Sequence, residues 1–184
     1  MKLITDNALF KDELKKSFER YKHCHIAVAW VTKGEHLNLL KEKITDDENS
    51  MIQNLYVGLY GARGEKTTAI DFVKKFRKYK NVHFVRSNFP DDKPLLFHSK
   101  HYFFVSSDDD WCCYIGSANF TNRGLDEKGN FETMIKVSTD EDMQKPNRHQ
   151  FYRYNINFFE NLKSNKIIHV CSDKELDEYC ATDE

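Results

Sequence analysis

The sequence predicts a single α/β domain, residues 1–184, built on a mixed, mostly parallel central sheet covered by helices. Three observations lead there. In the first half, short β-rich apolar runs alternate with segments of helical periodicity, the pattern of strand–helix–strand units. The length of 184 residues suits one domain, and a hydrophobic share of 40% is enough for one core. Seven glycines and three prolines are too few for a linker-rich, collagen-like or low-complexity chain, while 14 Phe, nine Tyr and two Trp argue against long disorder.

Each element has its own signal. Residues 8–21 place Phe10, Leu14, Phe18 and Tyr21 at helical spacing, with Asp6 or Asn7 as the cap. Residues 25–31 (HIAVAWV) read as a buried strand and residues 35–44 as an amphipathic helix. Residues 52–60 read as a second strand, after which Gly58, Gly61 and Gly64 mark a loop. Residues 67–79 form a basic helix whose apolar stripe is Ile70, Phe72, Val73 and Phe76, and residues 82–85 form a third strand. The second half changes character. Residues 99–105 and 111–116 are strands joined by the polar turn at 106–110, and residues 131–137 are another strand. Pro146 suits the first turn of a helix over 147–163 carrying Phe151, Tyr154, Phe158 and Phe159. A short strand at 167–170 and an acidic helix at 173–179 complete the chain.

The N-terminal segment carries a charge every few residues and contains no apolar stretch of signal-peptide type, and no apolar run reaches the roughly 20 residues of a membrane span. A cytoplasmic protein is expected. The five cysteines, Cys24, Cys112, Cys113, Cys171 and Cys180, lack any C-x-x-C spacing and read as reduced core residues. Net charge is −1, but residues 63–100 hold ten Lys or Arg against four Asp or Glu, and residues 171–184 hold six acids against one lysine. A basic middle can attract a polyanion even in a near-neutral chain.

Candidate chemistry begins with His98-Ser99-Lys100. Alternation along a strand puts His98 and Lys100 on one face, a nucleophile or acid beside a fixed positive charge. Next comes Gly116-Ser117-Ala118-Asn119, where Ser117 and Asn119 can present a hydroxyl and an amide to one anion. Then Asn130-Phe131-Glu132 brings a carboxylate to a strand start, where it needs a partner; a histidine ring N–H is a natural one.

The order H-x-K, G-S-x-N, N-x-E over residues 97–134 resembles the phospholipase D superfamily, and the preceding β/α alternation is similar to that family's N-terminal half. The resemblance implies a phospholipase D-like α/β/α sandwich and phosphodiester chemistry without a metal or other cofactor. Val105 stands where the usual motif has an aspartate. That departure points to the branch of metal-independent restriction endonucleases and helicase-linked nuclease domains, and away from the phospholipid-cleaving branch.

The expected function is therefore cleavage of DNA. His98 attacks phosphorus to form a phosphohistidine, Lys100, Ser117 and Asn119 neutralise the phosphate oxygens, and Glu132 holds the His98 ring. The leaving oxygen needs a proton, for which a second histidine near neutral pH is suited. One H-x-K per chain makes a two-fold homodimer with a shared site the economical solution, its interface flanked by apolar residues such as Phe97, Phe120 or Leu125. Lys74, Lys75, Lys78 and Arg86 are the expected contacts to DNA backbone. No sequence-reading module is visible, so a specificity or helicase subunit or domain would be separate. The rival readings are a phospholipid phosphodiesterase and a silent DNA- or protein-binding module. A serine hydrolase at Ser117 lacks the G-x-S-x-G elbow, and a zinc site from His98, His101, Cys112 and Cys113 fails because the ligands alternate between faces.

Overall fold

In the computed structural model, described for residues 1–45, 50–59, 68–87, 97–126, 128–140, 145–164 and 168–181, a mixed eight-stranded sheet is sandwiched between helices. In chain order the elements are β1 (Lys2–Ile4), α1 (Asn7–Arg20), β2 (His23–Val28), a 3-10 turn (Glu35–Leu37) running into α2 (Asn38–Lys41), β3 (Ile52–Gly58), α3 (Ile70–Phe76), β4 (Val82–Ser87), β5 (Lys100–Ser107), β6 (Asp110–Gly116), α4 (Asn122–Leu125), β7 (Met134–Ser138), α5 (Lys145–Ser164), β8 (Ile168–Val170) and α6 (Asp173–Ala181). Tyr60, Gly61 and Gly64, expected to end β3 and mark its loop, lie outside the described residues.

The spatial order is β1-β7-β6-β5-β2-β3-β4-β8. Only β2–β3 and β3–β4 run parallel; the other neighbours are antiparallel. The sheet is thus mostly antiparallel, not mostly parallel. The cause is local. A parallel pair needs a crossover of a dozen or more residues, and the β/α alternation that supplies one stops after β4. Beyond it, β5 turns directly into β6 through Ser107 opposite Asp110. β1 is a strand the sequence pattern does not announce, being three residues long and fixed only by its pairing with β7.

Alternation along β5 divides the core in two. Tyr102 and Phe104 join Phe10, Leu14 and Phe18 of α1, Phe72 and Phe76 of α3 and Leu176 of α6. Phe103 and Val105 join Trp111, Cys113 and Val137 beneath Phe159 of α5. Of the two candidate caps for α1, Asp6 does the capping, its carboxylate accepting from the Leu9 N–H at 3.0 Å. Asn7 instead donates to the carbonyls of Arg123, Asp126 and Asn130 at 3.3, 3.1 and 2.7 Å, tying the loop after α4 to the helix start. Along α5, Phe158 and Phe159 face inward, while Phe151 and Tyr154 are exposed.

The α5 layer also covers two neutral histidines. His101 reaches the Asn155 amide oxygen from Nε2 at 2.6 Å and lies 3.1 Å from Cys113 Sγ. His25 Nδ1 accepts from Asn54 at 2.9 Å. All five cysteines are unpaired, and burial pushes the Cys113 thiol well up, so this Cys–His–Asn cluster is packing and not a nucleophile.

Burial holds both His25 and His101 down to about 4. Their folded pKa is depressed, so their contribution is complete above the unfolded value near 6.5 and is lost as pH falls toward 4. Thermal melts are expected to show a Tm that is level near neutrality and falls between pH 6.5 and 4, each histidine removing at most about 3 kcal/mol. A Tm unchanged over that interval would show that neither ring resists protonation.

Candidate functional site

The topology gathers one set of strand ends. The C-terminal ends of β2, β3, β4 and β6 meet the N-terminal ends of β5, β7 and β8, because Val28 pairs with Lys100, Gly116 with Met134, and Ser87 with Ile168. At the centre of that edge lie His98, Lys100, Asn119 and the approach to β7 that carries Glu132.

The chain beyond β2 does not continue the ladder. Asn119 Oδ1 accepts from the N–H groups of Ala29 and Trp30 at 3.0 and 3.3 Å, and Val31 bridges Phe120. This is why the strand expected through residue 31 ends at Val28. With its oxygen engaged, buried Asn119 presents its NH2 group as the free end. Tyr102 fixes the same loop by donating to the Ala118 carbonyl at 2.8 Å. Gly116 is required at the turn-off, since a Cβ there would meet the Thr133 carbonyl oxygen at 2.0 Å.

Lys100 is 5% exposed. Its Nζ donates to the His98 carbonyl at 3.1 Å and lies 5.6 Å from the Trp30 ring centroid. Burial lowers its pKa to about 8, opposed by the Glu132 carboxylate, so the ammonium form still prevails at neutral pH. His98 is exposed, with its ring edge-on to Trp30 at 5.4 Å and 65°. Partial burial and the Lys100 charge lower its pKa, which favours the neutral imidazole. An uncharged ring nitrogen beside a buried cation is the arrangement a nucleophile toward an anionic ester requires.

One expected contact differs. Glu132 does not hydrogen-bond to His98 among the described residues; its charge acts on Lys100 and Tyr102 instead. Lys100, lying deeper in the edge than His98, is the group that most needs a counter-charge. Ser117 Oγ accepts from the Thr133 N–H at 2.9 Å while its own N–H reaches the Thr133 carbonyl at 3.0 Å, so its hydroxyl extends the β6–β7 pairing. The apolar residues expected to flank an interface, Phe97, Phe120 and Leu125, are buried in the two cores. Exposed instead are Phe131, 83% accessible and next to Glu132, and, on the α5 face of the sheet, the cross-strand row Leu3, Ile135 and Ile115.

Val105 lies five residues along β5 from Lys100, roughly 17 Å away at strand rise. It packs in the α5-side core opposite Trp111. The position at which this chain departs from the usual motif is therefore outside the site. Among the described residues no group of three His, Cys, Asp or Glu side chains is placed to hold a metal ion. His101 and Cys113 share the α5 face and are separated from His98 and Cys112 by the sheet, as alternation required. Sequence reading missed Trp30. Its signal existed only jointly: it is the last residue but one of the run HIAVAWV, and only the antiparallel docking of β5 on β2 brings that end beside residue 98.

Comparison with known proteins assigns the family. The family model described as the NgoFVII restriction endonuclease N-terminal PLD domain matches residues 2–176. The chain belongs to that family. Among curated proteins none matches this PLD domain. Its fold is shared with NucT from Helicobacter pylori, at a TM-score of 0.57 and 12% identity over 89% of this chain and 94% of that one. It is shared also with phosphatidylserine synthase from Haemophilus influenzae Rd KW20, at 0.54 and 14% over 93% of this chain and 45% of that one. Polyphosphate kinase from Porphyromonas gingivalis gives 0.54 and 13% over 95% of this chain and 24% of that one. The PLD domain thus spans less than half of each of the latter two. No helix among its described residues is long and apolar enough to cross a membrane.

The double acceptance by Asn119 is testable by stability alone. Asn119→Ala leaves the Ala29 and Trp30 N–H groups without their acceptor and is expected to destabilise the fold by about 2 kcal/mol. Asn119→Asp keeps an acceptor and should melt close to the native protein. Equal losses in the two variants would show that the amide oxygen is not what holds the loop.

Proposed function

We propose that this PLD domain is a metal-independent DNA endonuclease of the restriction or phage-defence kind, acting through a covalent phosphohistidine on His98. The observation that carries the reading is the convergence, on one sheet edge, of an exposed histidine biased to its neutral form, a buried lysine and an amide whose donors are its only free end. The family, one of nucleases and phosphodiesterases of the phospholipase D superfamily, supports it.

The steps follow from the chemistry of these groups. A phosphodiester repels nucleophiles until its non-bridging oxygens are neutralised; Lys100 Nζ and Asn119 Nδ2 are the donors for them. A His98 ring nitrogen forms the N–P bond as the P–O bond to the leaving group breaks, and the leaving oxygen takes a proton from an imidazolium on the far side. That imidazole, now neutral, removes a proton from water, whose oxygen displaces His98 and restores it. Glu132 serves by keeping the Lys100 ammonium charged. Ser117 shapes the phosphate loop by accepting from the Thr133 N–H, which leaves its exposed O–H to donate to a phosphate oxygen.

The second imidazole is His98 of another copy across a two-fold axis. Supporting this are the single H-x-K and the exposed Phe131 next to Glu132. A specificity or helicase subunit or domain is separate in this reading. Nicking of plasmid DNA should persist in excess EDTA and disappear in His98→Ala, with one phosphate-labelled histidine trapped per dimer when a mutant and a native chain are mixed. Complete loss in EDTA with recovery on adding magnesium would end the proposal, as would full-rate nicking by a monomer in sedimentation. Lipid turnover without nicking would assign the phospholipid alternative, and binding without turnover of either substrate the silent module.

DNA capture falls in this reading to cations of α3, the turn after it and β4. α3 starts at the site edge, Ala69 N–H donating to Val31 at 2.9 Å, and runs away from it, exposing Lys74 and Lys75 on the helix and Lys78 in the turn that follows. Arg86 stands near the end of β4. Arg77 is already committed to Asp173 and Asp177 of α6. Replacing Lys74, Lys75, Lys78 and Arg86 with Gln should weaken binding on all sequences alike. The slope of log K against log salt should flatten by about 0.9 for each phosphate that is no longer neutralised. Identical slopes would place the DNA path elsewhere.

A further inference from the structure

One residue touches every member of the candidate triad of His98, Lys100 and Asn119 without belonging to any of its motifs. Trp30 leaves the sheet at the end of β2 and is half-buried. Its backbone N–H donates to Asn119 Oδ1 at 3.3 Å. Its indole ring meets the His98 ring edge-on at 5.4 Å, and the Lys100 ammonium lies 5.6 Å from its centroid. The His98 ring has no hydrogen bond to another described residue, and Glu132, expected to hold that ring, faces Lys100. An exposed histidine with neither carboxylate nor carbonyl to orient its ring would sample several rotamers. The indole is the contact that restricts them.

We propose that Trp30 is the positioning residue of this site, its indole orienting the His98 ring toward phosphorus and seating the Lys100 ammonium beside it. The inference rests on the reading of His98 as nucleophile and adds the group that aims it. An aromatic ring suits both tasks. Its negative face attracts the ammonium, a contact that desolvation strengthens. The geometry of its approach to imidazole is specific, whereas an aliphatic residue of similar bulk fills space without fixing an angle. Misplacement of a nucleophile by about 1 Å is enough to lower turnover about a hundredfold.

The test compares Trp30→Phe, which keeps a ring, with Trp30→Leu, which does not, in the full chain with short duplex DNA as substrate. Trp30→Leu should lower kcat about 10- to 100-fold with KM within about threefold of native, while Trp30→Phe should stay within about threefold in both. Thermal melts separate loss of fold from loss of rate, and Trp30→Met replaces the Leu variant should that one not fold. Proton NMR of the substrate-free protein reads the contact itself. The His98 ring resonances, assigned by their loss in His98→Gln, should be displaced by the indole ring current and return in Trp30→Leu to the positions of a freely rotating histidine. A rise in KM with kcat unchanged, equal losses in the Phe and Leu variants, or resonances unmoved by Trp30→Leu would each overturn the proposal. Should the native protein cleave no DNA, the nuclease reading fails by itself, and the resonances still decide whether Trp30 holds the ring.

Discussion

The structure of the site follows from one constraint, the burial of the Lys100 ammonium at the end of β5. A charge with 5% exposure has lost most of its water, which carries a penalty on the order of several kcal/mol unless neighbours offset it. Three do. The His98 carbonyl accepts a hydrogen bond, the Trp30 ring supplies its negative face, and the Glu132 carboxylate supplies opposite charge. None fully replaces water, which is why the pKa still falls to about 8. The residual imbalance is useful in a site for phosphate. A cation held short of its full complement of partners gains most when an anion arrives, and its charge already biases His98 toward the neutral form that attack requires.

The same edge explains how a small domain assembles a site from four distant stretches. Strand ends converge only if the strands adjoin, and the antiparallel docking of β5 on β2 does most of this. It places residues 98–100 beside 28–30. The β5–β6–β7 meander then returns the chain twice, delivering Asn119 and Glu132 to the same end. Asn119 locks the result by accepting from both Ala29 and Trp30, so the loop that carries the amide is hydrogen-bonded to the loop that carries the indole. Asn7 extends the fixation from behind, gripping the Arg123–Asn130 segment at the start of α1.

Much of this was legible in the sequence, and the parts that were not share a cause. Periodicity located α1, α3 and α5 and all strands except β1, because those signals are local. The relative direction of strands is not local, and extrapolating the parallel start of the sheet beyond β4 gave the wrong majority. The motifs brought His98, Lys100, Asn119 and Glu132 to attention, and all four occupy one edge. Which of them pair was out of reach. Spacing offered Glu132 to the His98 ring, whereas burial assigned it to Lys100. Trp30 was invisible for a related reason. A tryptophan within an apolar run reads as core until the strand beside it is known.

The fold by itself does not choose a substrate. Chains described as NucT, a phosphatidylserine synthase and a polyphosphate kinase share this sandwich at 12–14% identity, and function resides in sites grafted onto such folds. The choice must come from what surrounds the edge. On the α3 side of the sheet, Arg77 is paired with the acidic α6 while Lys74, Lys75 and Lys78 remain exposed. It is on these three solvent-facing cations that the proposal of a polyanionic substrate, with a charge at every step, draws. Val105 fits the same view. With an aliphatic side chain in the α5-side core, roughly 17 Å from Lys100, the far end of β5 serves packing, and the candidate residues His98, Lys100, Asn119 and Glu132 gather at the opposite edge.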